Sequence, residues 1–286
     1  MNVGDFNNDN QLDIIVVHET SNNVGVFFGY NDGTFASMST SVVVPNSYSY
    51  GVAVGDFNND NRLDFTVADQ GNSNIGVFLA NGSKPFGGQT TFSVGEGSRP
   101  SSLAVGYFNN DSQLDIAFTN YGTNNIGILL GDGNRMFSNV TTYSTGNDSQ
   151  PLSLAVCDFN NDSLSDIVVA NSATNNIVML IGHGNGSFST LMTYSMDDSS
   201  QSVSVAVGDF NRDHQLDVVV ANSGKNDVCI LFGSSNGTFT NPTWYALGYG
   251  SRPNWVVFQD LNDDGWEDIA VATNGTDNIK ILLNLC

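Results

Sequence analysis

Near the end of the chain stands the stretch Asp260-Leu261-Asn262-Asp263-Asp264-Gly265-Trp266-Glu267-Asp268, with Asp or Asn at its first, third, fifth and ninth positions. Five related stretches precede it, starting at residues 5, 56, 107, 158 and 209, so that successive starts lie 51 residues apart. A strict period near 50 residues, without insertions, indicates one structural unit repeated along the chain.

Each repeat carries four short β-strand signals. In the fourth copy these are residues 153–156, 167–170, 177–181 and 188–194, which are rich in β-branched residues and bounded by Asn, Gly and Ser. Hairpin turns are indicated by the pairs Asp32-Gly33, Asn81-Gly82, Asp132-Gly133, Asn185-Gly186 and Asn236-Gly237. The sequence therefore predicts an all-β fold, a six-bladed β-propeller of four-stranded antiparallel blades.

We expect residues 1–286 to form a single propeller domain, with repeats starting near residues 3, 54, 105, 156, 207 and 258. The last repeat supplies a third strand at residues 279–283 and then has no residues left for a fourth. A three-stranded last blade is therefore predicted, with an exposed edge along Lys280 to Leu283. That edge is expected to be a fragment boundary or a site of pairing with another chain or the rest of a longer chain.

Oxygen side chains at alternate positions of a tight loop suit calcium, which takes six to eight oxygen ligands. An EF-hand is excluded, because its loop runs 12 residues to a Glu between two helices, whereas these loops close on Asp and lead into β-branched residues. The alternative is a network of Asx turns that caps hairpins without metal. Six copies of two or three neighbouring carboxylates would repel one another without a cation, which favours calcium.

A longer pattern, which the copies follow with substitutions, surrounds the loops: Val-Ala-Val-Gly-Asp-Phe-Asn-x-Asp-x-x-Leu-Asp, then Val-Ala-Asn and Gly-x-Gly-x-Phe. It resembles the FG-GAP and VCBS-type repeats of integrin α-subunit propellers and many secreted proteins. The resemblance spans residues 3–17, 54–68, 105–119, 156–170, 207–221 and 258–272. It implies that up to six calcium ions bind through side chains at loop positions one, three, five and nine and through the carbonyl at position seven.

The ligands that the resemblance implies are Asp5, Asn7, Asp9, Gln11 and Asp13; Asp56, Asn58, Asp60, Arg62 and Asp64; Asn109, Asp111, Gln113 and Asp115; Asp158, Asn160, Asp162, Leu164 and Asp166; Asp209, Asn211, Asp213, Gln215 and Asp217; and Asp260, Asn262, Asp264, Trp266 and Asp268. Tyr107 replaces the first Asp of the third loop, so that loop should bind calcium most weakly. The sixth position should be left-handed, and it is Gly only at Gly265.

Composition limits the partners. The formal net charge is −21 with only eight Lys and Arg residues, so neither nucleic acid nor an anionic membrane surface is an expected partner. No apolar stretch approaches the ~20 residues of a membrane span, so membrane insertion is not expected and the chain should be soluble. Residues 1–4 open directly into the first loop without a signal peptide, which suggests a fragment boundary. Cys157 and Cys229 are expected to be buried free thiols.

An extracellular or cell-surface location is expected, because extracellular modules bind calcium at about 10⁻⁴–10⁻³ M. N-glycosylation sequons in turns expected to be exposed begin at Asn81, Asn139, Asn147, Asn185, Asn236 and Asn274, and two more, at Asn110 and Asn161, lie inside the loops and are expected to be unused. Turn chemistry alone also produces Asn-Gly-Ser/Thr, so glycosylation and simple turns remain alternatives.

Enzyme signatures are absent: His18, His183 and His214 fall at unrelated repeat positions, and no nucleophile elbow is present. We therefore expect a non-catalytic extracellular recognition or adhesion module that binds a protein or glycan. A calcium-dependent lectin and a propeller polysaccharide lyase or hydrolase are the alternatives. Ligand binding is expected on the face opposite the calcium loops; the alternative is that this face carries only solvated turn residues and one aromatic residue that packs between blades. The candidate residues there are Tyr48, Tyr50, Arg99, Tyr121, Gln150, Arg252 and Trp255.

Overall fold

The computed structural model describes residues 1–18, 22–42, 47–80, 86–134 and 136–284, with the backbone alone at residues 40–42. The pair Asn81-Gly82, singled out in the sequence, lies outside the described residues. Within the described parts, no helix has the length and hydropathy of a membrane span. The chain divides into two units, Met1–Ser144 and Thr145–Cys286.

The first unit contains three four-stranded antiparallel sheets, in each of which the strands neighbour one another in chain order. Their strands are β1 (Asn2–Gly4), β2 (Asp13–His18), β3 (Asn23–Phe27) and β4 (Ser39–Val42); β5 (Ser49–Gly55), β6 (Asp64–Asp69), β7 (Asn74–Phe78) and β8 (Thr90–Ser93); and β9 (Pro100–Gly106), β10 (Asp115–Asn120), β11 (Asn125–Leu129) and β12 (Thr141–Ser144).

The second unit contains two four-stranded sheets and one three-stranded sheet of the same topology. Their strands are β13 (Pro151–Cys157), β14 (Asp166–Asn171), β15 (Asn176–Gly182) and β16 (Phe188–Ser195); β17 (Ser202–Gly208), β18 (Asp217–Asn222), β19 (Asp227–Leu231) and β20 (Thr243–Ala246); and β21 (Pro253–Gln259), β22 (Asp268–Thr273) and β23 (Asn278–Leu282).

These six sheets are the blades of a six-bladed β-propeller, so the predicted all-β fold class is confirmed, as is the three-stranded last blade. β23 pairs only with β22 among the described strands, and Ile279 and Ile281 on it are exposed. The predicted exposed edge is therefore confirmed.

The second strand of a blade is buried on both faces wherever sheets stack on either side. All six residues of β14 and of β18 are buried, which explains their nearly continuous apolar sequences. Val218 and Val220 of β18 pack with Val168 and Met179 of the preceding blade. Because Cys229 lies fully buried in the same cluster, it confirms the expected buried thiol, whereas Cys157 is only partly buried.

Blade topology separates two ends. In an antiparallel sheet with strands in chain order, the first and third connections lie at one end and the second connection at the other. The loops that carry the predicted calcium ligands and the Asn-Gly turns therefore share one end of each blade. The short turns between second and third strands share the other end with the connections to the next blade.

Candidate functional site

The fourth loop illustrates how these loops are built. Asp158 accepts backbone N–H hydrogen bonds from Asp162 (3.1 Å) and Ser163 (2.7 Å), and Asn160 Oδ1 accepts one from Asp162 (3.0 Å). Asp162 Oδ1 accepts one from Leu164 (2.8 Å). The side chains at positions one, three and five are thus turned into the loop, and loops one, two, five and six repeat this arrangement.

The Asp at position nine, predicted as a metal ligand, also accepts two backbone hydrogen bonds, a role that the sequence analysis did not predict. Asp166 is fully buried, and its two oxygens accept the N–H groups of Phe159 (3.0 Å) and Gly182 (2.9 Å). The carboxylate therefore joins the start of its loop to the end of the third strand. We call this pair of hydrogen bonds the bracket, and it recurs in all six repeats. The glycine at position 182 was the available sequence signal. A Cβ there would lie 2.2 Å from the Ser165 carbonyl oxygen, so this position favours glycine.

Burial raises the pKa of the ninth-position carboxyls of Asp13, Asp64, Asp115, Asp166 and Asp217 against the opposing effect of the two backbone hydrogen bonds. The pKa reaches about 6 at Asp64, Asp115, Asp166 and Asp217.

In the metal-free protein, stability should therefore rise as the pH falls from 7.5 to about 5. The four carboxyls have a pKa of about 6 when folded and return toward the ordinary value of 3.8 on unfolding. Between these values the folded protein binds more protons than the unfolded chain, so acidification favours folding. Melting temperatures in chelator should increase from pH 7.5 to 5.5. In millimolar calcium the trend should reverse, since protons compete with the metal. A melting temperature that falls with pH in chelator would contradict this.

Two loop positions adopt left-handed backbone conformations. The predicted one, position six, has φ between 61° and 82° at Asn10, Asn61, Ser112, Ser163, His214 and Gly265. Position four is also left-handed, at Asn8, Asn59, Asn110, Asn161, Arg212 and Asp263, and this was not anticipated. Asn at the first four of these is the residue type that tolerates the conformation best after Gly, and it was the available signal.

Two loops depart from the pattern. In the third, Tyr107 is half exposed and supplies no carboxylate, so the N–H of Asp111 is held only by a long 3.3 Å bond to Asn109 among the contacts described. In the second, Arg62 Nη2 lies 2.7 Å from Asp60 Oδ2, and this guanidinium lowers the pKa of Asp60. Arg62 would therefore compete with a cation for the Asp60 carboxylate.

Replacing Arg62 by Gln should tighten calcium binding at the second loop. Gln already stands at this position in the first, third and fifth loops, so the change is compatible with the backbone. A partly exposed ion pair contributes about 0.2–1 kcal/mol, which predicts a Kd lower by a factor of roughly 1.4 to 5. Calorimetric titration of the variant would measure it. The reciprocal change Gln215→Arg should weaken the fifth loop, and unchanged affinities in both variants would contradict the competition.

The donor set fits a hard cation, although the loop groups its carboxylates loosely. Within the described ranges, no three His, Cys, Asp or Glu side chains are close enough together to hold a metal ion. Asp158 and Asn160 nevertheless direct oxygens at the same backbone N–H, within 3.1 Å of it, and the two Asp166 oxygens each keep a second lone pair. Residues at positions one, three and five would thus hold calcium by turning from the loop N–H groups toward the ion.

Three pairs of neighbouring loops, each within one unit, touch through positions four and seven. Asn161 Nδ2 donates to Gln215 Oε1 (2.9 Å), and the Arg212 guanidinium lies 4.2 Å from the centre of the Trp266 ring. Asn59 donates to Gln113 in the same way. These adjacent loops are therefore in direct side-chain contact, which the 51-residue spacing alone did not predict.

At the opposite end, two polar grooves occupy equivalent places three repeats apart. The groove in the first unit has a volume of about 730 Å³ and is lined by Tyr48, Asn72, Glu96 and Arg99, among others. The groove in the second unit has about 500 Å³, and its lining includes Gln201, Asn226, Tyr249, Arg252 and Asn274. Each therefore combines an Arg, an aromatic ring and amide or carboxylate groups.

The same connection residue is strained in five repeats. Positive φ angles of 44° to 50° occur at Tyr48, Arg99, Gln150, Gln201 and Arg252. A left-handed conformation costs a non-glycine residue about 1–2 kcal/mol. Hydrogen bonds hold this conformation: Asn175 Oδ1 accepts from the Gln201 N–H (2.8 Å) and Asn226 Oδ1 from the Arg252 N–H (2.9 Å).

The structure brings together only some of the ligand-face residues proposed from the sequence. Tyr48 and Arg99 line one groove and Arg252 the other, and the Arg99 guanidinium lies 5.5 Å from the Tyr121 ring centre. Tyr50 and Trp255 instead belong to strands β5 and β21, where each is about half exposed. Glu96 and the fully exposed Tyr249 were missed, because nothing local distinguishes them from other turn residues.

Comparison with known proteins shows a family and a fold. A model of the FG-GAP-like repeat matches residues 5–67, 56–118, 107–169, 158–220 and 215–271. Comparison with curated proteins gives no match.

Similar solved structures include virginiamycin B lyase from Staphylococcus aureus, with 17% identity, 95% of this chain and 77% of that chain covered, and a TM-score of 0.67. A putative 6-phosphogluconolactonase from Bacteroides fragilis has 16% identity, 94% and 76% coverage, and a TM-score of 0.69. An Agrocybe aegerita lectin that recognises non-reducing terminal N-acetylglucosamine has 18% identity, 99% and 79% coverage, and a TM-score of 0.64.

These similarities correct the expectation of a non-catalytic protein. That expectation rested on the absence of local catalytic motifs, yet the structures with this fold include lyases and a lactonase as well as a lectin. A propeller assembles a site from separate blades, so residues far apart in sequence supply it and local motifs are uninformative.

Proposed function

This chain belongs to the FG-GAP-like repeat family, and from that membership we infer that it is a calcium-stabilised propeller that recognises a ligand outside the cell. The observation that carries the proposal is the recurrence of long polar or aromatic side chains at a strained, left-handed connection position. Glycine would occupy that position without strain. Strain of this kind is concentrated at functional sites, and here it presents Tyr48 and Arg99 to one groove and Gln201 and Arg252 to another.

Calcium has a structural role in this proposal. When bound, it would neutralise the carboxylates of each loop and replace the backbone N–H groups as their partner. The loops lie at the end of the blade away from the grooves, so their residues stabilise the blades without contacting the ligand. The third loop, without a carboxylate at Tyr107, would be the weakest.

The extracellular location rests on two observations. Loops of this kind are filled at the millimolar calcium found outside cells. Five of the sequon asparagines are exposed, namely Asn139, Asn147, Asn185, Asn236 and Asn274, and the sixth, Asn81, lies outside the described residues.

The chemistry of the grooves favours a carbohydrate ligand. Aromatic faces stack on sugar rings, while Arg and amide groups hydrogen-bond to hydroxyl and carboxylate groups. The first groove offers Tyr48 and Arg99 with Asn72, and the second offers Tyr249 and Arg252 with Asn226. A lectin is thus the more specific form of the proposal.

A glycan array tests it. The protein should bind a defined set of glycans in calcium, and binding should fall at least tenfold in Arg99→Ala or Arg252→Ala. The control Arg212→Ala removes an Arg at the calcium-loop end and should leave glycan binding unchanged. Product analysis of each bound glycan separates recognition from turnover. Binding that survives both groove substitutions would overturn the assignment of the grooves.

Arg99→Gly should separate function from stability. Glycine adopts a φ of 50° without the steric penalty of Ala, so the Gly variant should be about 1 kcal/mol more stable than Arg99→Ala. Both variants should lose the same ligand affinity, because both remove the guanidinium. Urea denaturation and the binding assay measure the two effects. A Gly variant less stable than the Ala variant would show that the backbone is not strained there.

A further inference from the structure

In the first unit, position eight of a loop packs against the start of the loop in the preceding repeat. A Cβ at Gly4, just before the first loop, would lie 2.5 Å from a methyl group of Leu63, which is position eight of the second loop. A Cβ at Gly55 would lie 2.6 Å from a methyl group of Leu114 in the third loop. The glycine before each of these loops therefore leaves room for a side chain from the next blade.

In the second unit, an acid stands at the same place. Position eight of the sixth loop is Glu267, whereas the other loops have Leu12, Leu63, Leu114, Ser165 and Leu216 there. A Cβ at Gly208 would lie 2.1 Å from Glu267 Oε2, so this oxygen takes the place of the leucine methyl group. Gly208 directly precedes Asp209, the first residue of the fifth loop. Glu267 therefore brings a carboxylate from the neighbouring blade to the start of the fifth loop.

Within the described parts of the chain, one oxygen of this carboxylate has no hydrogen-bond partner. This oxygen, Glu267 Oε2, is shielded from solvent, and the carboxyl group interacts with the backbone N–H and the carboxylate of Asp209. No Lys, Arg or His among the described residues forms an ion pair with it. A buried carboxylate oxygen without a donor or cation is costly, and a like charge beside it adds to the cost. A divalent cation in the fifth loop would relieve both costs.

Arg212, the only arginine of the fifth loop, is engaged with the sixth loop. Its guanidinium lies 4.2 Å from the centre of the Trp266 ring, and a Cβ at Gly265 would lie 2.5 Å from its Nη2 atom. This contact holds the sixth loop against the fifth, and Glu267 follows Trp266 directly. Arg212 therefore helps to fix the position of the Glu267 carboxylate, although the two form no ion pair among those described.

We propose that Glu267 adds a negative charge from the neighbouring blade to the calcium site of the fifth loop and raises the calcium affinity of that site. This inference rests on the calcium-binding role proposed above. The affinity of a calcium loop is set in part by the number of its charged ligands and by its rigidity. The fifth loop itself supplies Asp209, Asp213 and Asp217, and Glu267 would add the charge of a further carboxylate from outside the loop. No other repeat has an acid at position eight.

Two substitutions of Glu267 test the role of its charge. Glu267→Gln keeps the size of the side chain, and Glu267→Leu installs the residue found at four of the equivalent positions. Both should raise the calcium Kd of one site roughly fivefold or more in calorimetric titrations. Asp277→Asn is the matched control, because it removes one exposed charge from the other end of the same blade and Asn stands at that position in four other repeats. The control should leave every calcium Kd unchanged.

Double variants assign the effect to a loop. In an Asp213→Ala background, in which the fifth loop has lost a central carboxylate, Glu267→Gln should have little further effect. In an Asp264→Ala background, in which the sixth loop is damaged instead, the full effect should remain. The opposite result would assign Glu267 to its own loop and overturn the proposal.

Thermal melts distinguish a charge that acts on calcium from a side chain that is only structural. The rise in melting temperature from chelator to millimolar calcium should be smaller in Glu267→Gln and Glu267→Leu than in the unsubstituted protein. A purely structural residue would shift both melts equally, and that result, or unchanged calcium Kd values, would overturn the inference while leaving the proposed function intact. Failure of the unsubstituted protein to bind calcium would overturn the proposed function itself.

Discussion

Removing calcium should lower the melting temperature of this protein by about 10 °C or more. A ligand that binds only the folded state stabilises it by RT ln(1 + [L]/Kd), which is about 1.4 kcal/mol per site at tenfold saturation. Five loops retain the complete set of side chains, and each kcal/mol is worth roughly 2–4 °C in a chain of this size. Thermal melts in millimolar calcium and in excess chelator give the difference, and calcium added back should restore the higher value.

The loops themselves provide the control for this experiment. Asp162→Ala removes one inward-turned carboxylate from the fourth loop and should reduce the calcium-dependent part of the shift without removing it. Equal melting temperatures with and without calcium would mean that these loops are capped by Asx turns alone, which is how their oxygens are satisfied in the structure.

Asp166→Ala should destabilise the protein by about 2–6 kcal/mol even in chelator. The substitution leaves the N–H groups of Phe159 and Gly182 without their buried acceptor, and each unsatisfied buried donor costs about 1–3 kcal/mol. Asp162 in the same loop is exposed, so Asp162→Ala should cost less than about 1 kcal/mol under the same metal-free conditions. Urea denaturation in chelator compares the two.

This pair of variants separates two roles that the calcium-loop pattern assigns to one ligand set. In the proposal, position five would bind the metal and caps only its own loop, whereas position nine also joins the loop to the third strand. If both variants lose the same stability in chelator, the buried bracket contributes nothing beyond metal binding, and the ninth Asp is simply one ligand among four.

The sequence by itself determined the architecture. A period of 51 residues, four strand signals per repeat and Asn-Gly turns are local features, and local backbone preference together with regular apolar pattern is enough to specify a blade. The three strands of the last sheet, β21 to β23, were also predicted. The left-handed sixth loop position was predicted from the single glycine at Gly265, since only one backbone conformation suits that turn.

Tertiary structure decided what depends on distant parts of the chain meeting. The Asp166 bracket reaches 16 residues forward, the Asn161–Gln215 contact joins two loops, and the ring contact between Phe159 and Phe239 joins residues 80 apart. The pairing of Arg62 with Asp60 is close in sequence, but its competition with calcium depends on the rotamer that the loop imposes. The grooves likewise exist only because turns from separate repeats converge, so that Tyr48 meets Arg99. The local sequence pattern does not predict such contacts, because these groups come together only when whole blades pack.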